Sequence, residues 1–159
     1  MKDGNIRSFA TFHRLNESTE ELYCLAPSSS GKVRISKELI ERGNFLLKMN
    51  GNAVFKHAVV RFMEVIQEAL AFNQLTKDDI DLLVPHQANL RISQYIQQKL
   101  ELPDEKVFNN IMHLGNTTAG TIPIALSQAW EQGRLKENEL ICLAAFGSGF
   151  SWASALLKW

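Results

Sequence analysis

The longest stretch of periodic hydrophobicity lies between Asn50 and Asn73. Its apolar residues recur at helical spacing and form one face. They are Val54, Ala58, Phe62, Val65, Ile66 and Ala69. The same spacing returns from Asn89 to Leu100 and from Thr121 to Trp130, so we predict two further helices. Pro123 is tolerated in a first helical turn, and Gly133 is a typical helix stop.

Short apolar runs between these helices predict strands. Asp81 to Pro85 is too short for a buried helix, and Leu140 to Phe146 is apolar throughout. Phe150 to Leu157 follows a glycine turn and predicts a closing strand. The segment around Val107 to Ile111 is interpreted as a short strand or loop. Near the start, Ile6 to Leu15 and Glu21 to Ala26 are apolar runs separated by a polar break, which predicts a hairpin.

The order of these elements predicts the fold class. Strands, helix, strand, helix, strand, helix and two closing strands follow one another along the chain. Alternation of this kind is typical of a layered α/β domain with a mainly parallel sheet. The loop Pro27 to Lys32, PSSSGK, is the best candidate for a linker.

Composition and charge exclude several classes of protein. The chain has 159 residues, which suits one domain or one half of a duplicated fold. Its 17 basic and 17 acidic residues give a net charge of zero, so the chain lacks the excess of basic residues that is typical of a nucleic-acid-binding protein. A local basic patch that binds an acidic partner is still compatible with this composition. No apolar run reaches the ~18 residues of a membrane span, and the start lacks a secretory h-region. We expect a cytoplasmic protein with no membrane or nucleic-acid partner.

Cysteine and histidine usage adds little chemistry by itself. Cys24 and Cys142 form no CxxC pattern and lie inside apolar runs, where a free cysteine usually behaves as a small core residue with a reduced thiol. His13, His57 and His113 show no partner pattern, so we interpret them as surface or structural residues.

Three loops carry the polar and glycine residues from which a site could be built. They are Pro85 to Ile92 (PHQANLRI), His113 to Gly120 (HLGNTTAG) and Ala145 to Phe150 (AFGSGF). Each follows a predicted strand, and in α/β sheets functional sites gather beyond the carboxyl ends of strands. The three loops are therefore expected to converge on one pocket.

Each residue in these loops also has a purely structural interpretation. When it is considered by itself, His86 fits the role of a hydrogen-bonded structural residue. Asn89 fits the N-cap of the following helix, and Asn116 after a glycine fits a turn. Gly147 and Gly149 fit a tight turn between two apolar strands. Local pattern alone leaves these alternatives open.

The order of the motifs resembles the carboxyl half of β-ketoacyl-acyl-carrier-protein synthase III, a thiolase-fold condensing enzyme. PHQAN, HLGNT and AFGSGF occur in that order, and Met49 to Val59 (MNGNAVFKHAV) and the closing AFGSGFSWASALLKW agree. The resemblance implies one thiolase-type half with a mainly parallel, mixed five-stranded sheet layered with helices. It covers residues 43–159 as a carboxyl-terminal condensing domain. Residues 1–42 match only loosely, as strands and bridge from the end of the amino half.

The resemblance implies decarboxylative condensation of an acyl thioester with malonyl-acyl carrier protein in fatty acid biosynthesis. No cofactor is expected, because coenzyme A or phosphopantetheine thioesters are the substrates. In the family a cysteine of the amino half holds the acyl group, while a His and an Asn bind the malonyl thioester carbonyl. Carried over, these are His86 and Asn116. Two neutral donors suit an oxygen that gains negative charge as carbon dioxide leaves.

Further positions match substrate-binding residues of the family. Backbone N–H groups of Gly147, Ser148 and Gly149 are expected to shape an acyl oxyanion hole, with Phe146 beside the sulfur. The positions that match the lining of the pantetheine channel are Gly51, Phe55, Ala88 and Asn89. Arg91 matches a basic residue at the channel mouth where an acidic carrier protein would dock, and its alternative is a solvated arginine on a helix face.

Other functions remain open beside this one. The chain contains no match to the cysteine-bearing half, so we expect a fragment, a split subunit or a truncated product that is inactive in condensation without that half. Its expected partners are acyl carrier protein, malonyl and acyl thioesters, and either the amino half or a second copy. The alternatives are a non-catalytic module for carrier-protein or pantetheine binding, a dimerisation module, and a ketosynthase of specialised metabolism.

Overall fold

A four-stranded sheet of order β1-β6-β5-β4 lies at the centre of the described part of the chain. The computed structural model describes residues 10–14, 22–23, 36–42, 48–148 and 150–159. The strands of this sheet are β1 Ala10–Arg14, β4 Leu82–Pro85, β5 Leu140–Gly147 and β6 Ser151–Lys158. A second, two-stranded sheet pairs β2 Leu22–Tyr23 with β3 Lys48–Met49.

The directions of the strands differ in part from the prediction. The α/β class and the mixed sheet are confirmed, but only β4 and β5 run parallel, whereas β6 is antiparallel to both β5 and β1. Only residues 148–150 separate the end of β5 from the start of β6. A parallel pair would need a crossover of a dozen or more residues, so this short connection forces the antiparallel arrangement.

The segment Val107 to Ile111, expected to be a short strand or loop, forms one bridge within the described residues, where the main sheet has four strands instead of the expected five. Val107 makes an isolated parallel bridge to Leu83, and the Phe108 N–H donates to the Leu83 carbonyl at 2.9 Å. The 3-10 turn Asp104–Lys106 precedes this point and helix α4, Ile111–Leu114, follows it. The extended segment between them is too short to form a longer ladder.

The predicted hairpin near the start is wrong in its pairing. β1 pairs with β6, with Phe12 opposite Ala153, and β2 pairs with β3, with Leu22 opposite Met49. The closing strand β6 has one side occupied by β5 and offers its other side to β1. Non-local pairing therefore takes the place of the local hairpin.

The three predicted helices are confirmed close to their predicted ends. The helices are α1 Lys37–Glu41, α2 Gly51–Phe72, α3 Leu90–Leu100, α4 Ile111–Leu114 and α5 Thr121–Glu131. α2 begins where the Ala53 N–H donates to Asn50 Oδ1 at 3.3 Å, a side-chain N-cap. After α5, Gly133 has a φ of +67°, which suits glycine at a helix end.

Helices cover both faces of the sheet. Alternate residues of β5 point to opposite sides, as strand geometry requires. Cys142 and Ala144 join a core with α2 and α3, while Ile141 joins a second core with α5. In the first core Phe62 of α2 is 1% exposed, and burying such a side chain stabilises the fold by about 1.5–3 kcal/mol. Ser154 Oγ also donates to the Val65 carbonyl at 2.7 Å and ties α2 to β6.

Several predictions fall on residues that the structure does not describe. The linker Pro27 to Lys32 and Cys24 lie outside the described residues, as does most of the segment 1–42, so the proposed boundary near residue 42 stays a prediction. Gly149 also lies outside them. Among the residues that are described, no helix combines the length and the apolar character needed to cross a membrane.

Candidate functional site

The parallel pair of β4 and β5 sets the position of His86. Pro85, the last residue of β4, is opposite Ala144 of β5, and the His86 N–H donates to the Ala144 carbonyl at 2.8 Å. The backbone of His86 is therefore fixed at the carboxyl edge of the sheet. Its side chain is half-buried.

The His86 ring contacts the start of α5. Its Nδ1 atom lies 2.5 Å from Oγ1 of Thr121, the first residue of that helix. Burial of the ring lowers the pKa of His86 below its ordinary value of 6.5, because the charged form loses hydration. The imidazole is therefore neutral near pH 7.

Asn116 lies on the exposed turn that leads into α5. Gly115 before it has a φ of +68°, a backbone conformation that favours glycine. The Thr118 N–H donates to Asn116 Oδ1 at 2.9 Å. Since a backbone N–H can only donate, the amide atom that faces it is the oxygen, and the Nδ2 donors are directed to the other side of the amide.

The two candidate catalytic residues belong to one set of connected polar groups. Thr121 Oγ1 contacts the His86 ring and lies 3.1 Å from the Thr118 carbonyl. Thr118 in turn holds the Asn116 side chain through its N–H. The loop after β4 and the turn before α5, which are distant in sequence, thus meet, as expected for two of the three loops that follow predicted strands.

Gln87, which was not identified from the sequence, connects the β4 loop and the chain before the Asn116 turn in the protein interior. It is 2% exposed, and its Nε2 donates to the carbonyls of Pro85 at 2.7 Å and Phe108 at 3.3 Å. Its Oε1 accepts from the N–H groups of Asn110 at 3.1 Å and Ile111 at 3.3 Å. The amide thus fastens the β4 loop to the chain that leads into the Asn116 turn. The signal in the sequence that could have identified Gln87 was its position as a polar residue within the PHQAN motif.

Four of the predicted channel and docking residues lie at or beside the start of α3. The Arg91 N–H donates to Asn89 Oδ1 at 2.9 Å, so the N-cap interpretation of Asn89 is confirmed. The exposed Arg91 places its guanidinium 6.0 Å from the ring centroid of Phe55 on α2. That ring also packs edge-on against Tyr95, with 6.5 Å between centroids. A cation therefore borders an aromatic wall here. Ala88 lies half-buried just before the cap.

The turn between β5 and β6 is anchored by aromatic packing. Phe146 is buried at the end of β5, and its ring centroid lies 4.9 Å from that of Phe150 and 6.3 Å from that of Trp152. Among the described atoms, a Cβ built on Gly147 meets nothing within 4 Å, and the same holds at Gly51. Ser148 is exposed. The backbone at both glycines therefore borders open space.

Cys142 does not belong to this site. It lies in β5, its side chain is fully buried, and burial raises the pKa of its thiol to about 12. Its predicted role as a core residue is confirmed, because a protonated thiol without solvent access is a poor nucleophile. Within the described residues, His, Cys, Asp and Glu side chains form no group that would hold a metal ion.

Comparison with known proteins decides between the candidate families. Residues 70–159 match the family model described as 3-oxoacyl-[acyl-carrier-protein (ACP)] synthase III C terminal. This chain belongs to the synthase III family. The matched range contains His86, Asn116 and Arg91, while Gly51 and Phe55 precede it.

Curated relatives and solved structures agree with the family model. The β-ketoacyl-[acyl-carrier-protein] synthase III of Roseiflexus sp. (strain RS-1) is 48% identical over 128 residues, which is 80% of this chain and 39% of the relative. A synthase III of Campylobacter jejuni is 51% identical over 112 residues, 70% of this chain and 35% of the relative. This chain thus spans well under half of these relatives.

Two solved structures share the fold over nearly the whole chain. The 3-oxoacyl-[acyl-carrier-protein] synthase III of Aquifex aeolicus VF5 superposes with a TM-score of 0.81 at 33% identity, over 94% of this chain and 43% of that one. The synthase III of Thermus thermophilus gives a TM-score of 0.80 at 38% identity, over 94% and 45%. The predicted thiolase-type half is confirmed by these superpositions.

Proposed function

We propose that this chain supplies the carboxyl half of a 3-oxoacyl-[acyl-carrier-protein] synthase III active site in fatty acid biosynthesis. In it, His86 and Asn116 stabilise the enolate formed from a malonyl thioester. The main support is the set of polar groups that joins His86 through Thr121 and Thr118 to Asn116. It lies wholly inside the part of the chain that matches the family model.

The proposed chemistry begins with loss of carbon dioxide from the malonyl group. The carbon–carbon bond to the carboxylate breaks, and its electron pair moves toward the thioester, so that the carbonyl oxygen becomes an enolate oxygen. A neutral His86 ring N–H and the Asn116 Nδ2 donate to that oxygen. Removing one such donor typically costs about 3–4 kcal/mol in the barrier. Both donors are neutral, and burial of the ring supports this for His86.

Condensation then requires a half that this chain does not contain. The enolate carbon attacks the acyl carbonyl of a cysteine thioester, a carbon–carbon bond forms, and the thiolate leaves. Cys142 is excluded as that thiolate by its burial. We therefore propose that the cysteine comes from an amino half, in the same longer polypeptide or in a separate chain. Backbone N–H groups at Gly147, Ser148 and Gly149 would donate hydrogen bonds to the oxyanion that forms at the acyl carbonyl.

Substrate delivery is proposed along the entrance between α2 and α3. Gly51, Phe55, Ala88 and Asn89 would line a channel for the phosphopantetheine arm, and Arg91 would meet the acidic acyl carrier protein. The contact between the Arg91 guanidinium and the Phe55 ring supports a shared entrance. The substrates carry the pantetheine themselves, so the proposed steps use no separate cofactor.

We also propose that apolar side chains on the described surface pack against the amino half or a second copy, in a cytoplasmic dimer. Met112 is 56% exposed and Trp130 is 63% exposed. Leu114 is exposed near Met112 on α4, between Asn110 and the candidate catalytic turn. Large exposed apolar groups of this kind often mark an interaction surface.

Release of carbon dioxide from malonyl-acyl carrier protein tests the proposal directly. The chain is assayed with a synthase III amino half, joined in one polypeptide or added separately, and His86→Ala is compared with Lys136→Ala, at an exposed position after α5. We expect His86→Ala to lose at least about 100-fold in rate, and Lys136→Ala to keep its rate. Binding of malonyl-coenzyme A without carbon dioxide release would favour a binding module. Equal losses in both variants would contradict the role of His86.

A further inference from the structure

One buried hydroxyl faces the inner nitrogen of His86. Thr121 is 2% exposed, and its Oγ1 lies 2.5 Å from His86 Nδ1. The same oxygen lies 3.1 Å from the Thr118 carbonyl oxygen. A threonine hydroxyl has one hydrogen and two lone pairs, so it donates to only one of these neighbours. Which neighbour receives the hydrogen determines which ring nitrogen of His86 carries a proton.

The Thr118 carbonyl does not need that hydrogen. It already accepts the backbone N–H of Thr121, the bond that closes the 3-10 turn Thr118–Gly120. If the hydroxyl donated to this carbonyl as well, Nδ1 would have to donate to Oγ1. The hydroxyl oxygen lies closer to Nδ1, at 2.5 Å, than to the Thr118 carbonyl oxygen, at 3.1 Å. A neutral imidazole nitrogen is also a stronger acceptor than an amide oxygen that already accepts a hydrogen bond. The shorter contact therefore takes the hydroxyl hydrogen, and Thr121 donates to Nδ1.

We propose that Thr121 is a positioning residue that holds His86 as the Nε2–H tautomer. With Nδ1 occupied as an acceptor, the single proton of the neutral ring sits on Nε2, the outer nitrogen. The ring then presents a donor to the site and keeps no lone pair there. Burial of the ring supports this arrangement, because it lowers the pKa of His86 and so favours the neutral form.

The role of the Nε2–H tautomer in catalysis rests on the proposed function. An enolate oxygen needs donors, and the other tautomer would turn a lone pair toward it. The turn that supplies Thr121 also supplies the Thr118 N–H that orients the Asn116 amide. Thus one short turn sets the direction of both donors, the ring of His86 and the Nδ2 of Asn116.

Nitrogen NMR on the purified chain tests the tautomer without substrate. The chain has four histidines, so it is labelled with ¹⁵N-histidine and the His86 signals are identified by their loss in His86→Ala. At a pH where the ring is neutral, we expect Nδ1 to resonate as an unprotonated nitrogen and Nε2 as a protonated one. Thr121→Ser should keep that pattern, because it keeps the hydroxyl. Thr121→Val should shift it toward a mixture or toward Nδ1–H.

Two results would overturn the proposal: a wild-type ring protonated at Nδ1, or a tautomer unchanged in Thr121→Val. If Thr121→Val fails to fold, the wild-type spectrum and that of Thr121→Ser still decide the question, since each must show Nε2–H. In the assay with an amino half, Thr121→Val should lower kcat by roughly 10-fold with little change in KM, and Thr121→Ser should restore it. An Nε2–H ring in a chain that releases no carbon dioxide would refute the proposed function and leave the tautomer assignment intact.

Discussion

Asn116 and Thr118 are joined by a hydrogen bond of 2.9 Å that decides which side of the Asn116 amide is the donor. The Thr118 N–H occupies Oδ1, and the Nδ2 donors face away from it. A simple turn residue needs only the oxygen, because an Asx-type turn uses the side-chain acceptor alone. The proposed function needs the nitrogen as well. Substitutions that keep one atom and change the other can therefore separate the two roles.

Asn116→Asp keeps the acceptor for Thr118 but replaces the Nδ2 donor with a second carboxylate oxygen. The turn should survive, whereas a negative charge would face an oxygen that is itself becoming negative. We expect carbon dioxide release to fall by at least about 100-fold, with the unfolding midpoint little changed. The measurements are malonyl decarboxylation with an amino half and chemical denaturation of the chain.

Asn50→Asp is the matched control for this substitution. Asn50 also accepts a backbone N–H through Oδ1, at the N-cap of α2, and a carboxylate serves equally well there. This variant should keep both its stability and its activity. If Asn116→Asp kept full activity, Asn116 would be a turn residue only.

Gln87→Leu tests whether the buried amide holds the site together. The side chain makes hydrogen bonds to Pro85, Phe108, Asn110 and Ile111, and leucine leaves those backbone groups unpaired in a buried environment. Each unsatisfied group typically costs about 1–3 kcal/mol. We expect a lower free energy of unfolding, measured by urea denaturation. Gln98→Leu, at an exposed position of α3, should cost far less, and equal effects of the two substitutions would contradict the role of Gln87.

The lowered pKa of His86 predicts a dependence of stability on pH. The unfolded chain takes up the proton near the ordinary value of 6.5, whereas the folded ring takes it up only at lower pH, because burial disfavours the charge. Between the two pKa values the unfolded state binds more protons, so stability rises with pH. Stability is therefore lost as the pH falls from 6.5 through the folded pKa.

The difference between the wild type and His86→Gln isolates this effect. Asp79 also has a lowered pKa, caused mainly by its hydrogen bonds from Thr76. Its contribution is lost at still lower pH in both proteins and cancels in the difference. Urea denaturation over a range from about pH 5 to 8 should show the wild type losing stability relative to His86→Gln on acidification. A difference that does not vary with pH would show that burial leaves the His86 ring unaffected.

The parts of the fold that depend on local spacing were predicted well. The apolar face of α2 and the cap at Asn89 were predicted from nearby residues, and each is confirmed. The partner of β1 depends on which edge of β6 is free, a fact that lies at the far end of the chain. The local pattern suggested a hairpin because it contains no information on that edge.

In the candidate site, too, some residues could be identified from the sequence and others could not. His86 and Asn116 were found because their motifs occur in a recognisable order. Thr121 and Gln87 were missed because their roles consist of contacts across the sequence: 35 residues separate His86 from Thr121, and 23 separate Gln87 from Asn110. A threonine in a turn and a glutamine after a histidine have many ordinary explanations. Only the folded arrangement shows what their polar atoms contact.

Arg91 offers the sharpest test of carrier-protein docking. Its backbone N–H belongs to the cap of α3, while its exposed guanidinium lies over the Phe55 ring at the proposed entrance. Arg91→Glu should leave the fold intact and repel an acidic carrier protein. We expect KM for malonyl-acyl carrier protein to rise by roughly 5- to 10-fold, with a smaller rise at high salt, because exposed charges are screened.

Malonyl-coenzyme A separates docking from channel lining, because it carries the same pantetheine arm without the protein. If Arg91 acts by docking, Arg91→Glu should change KM for malonyl-coenzyme A much less than KM for the carrier-protein substrate. Lys136→Glu, an equal charge change at an exposed position after α5, should alter neither. Equal rises for both substrates would place Arg91 in the channel, and no rise for either would make it an ordinary solvated arginine of α3.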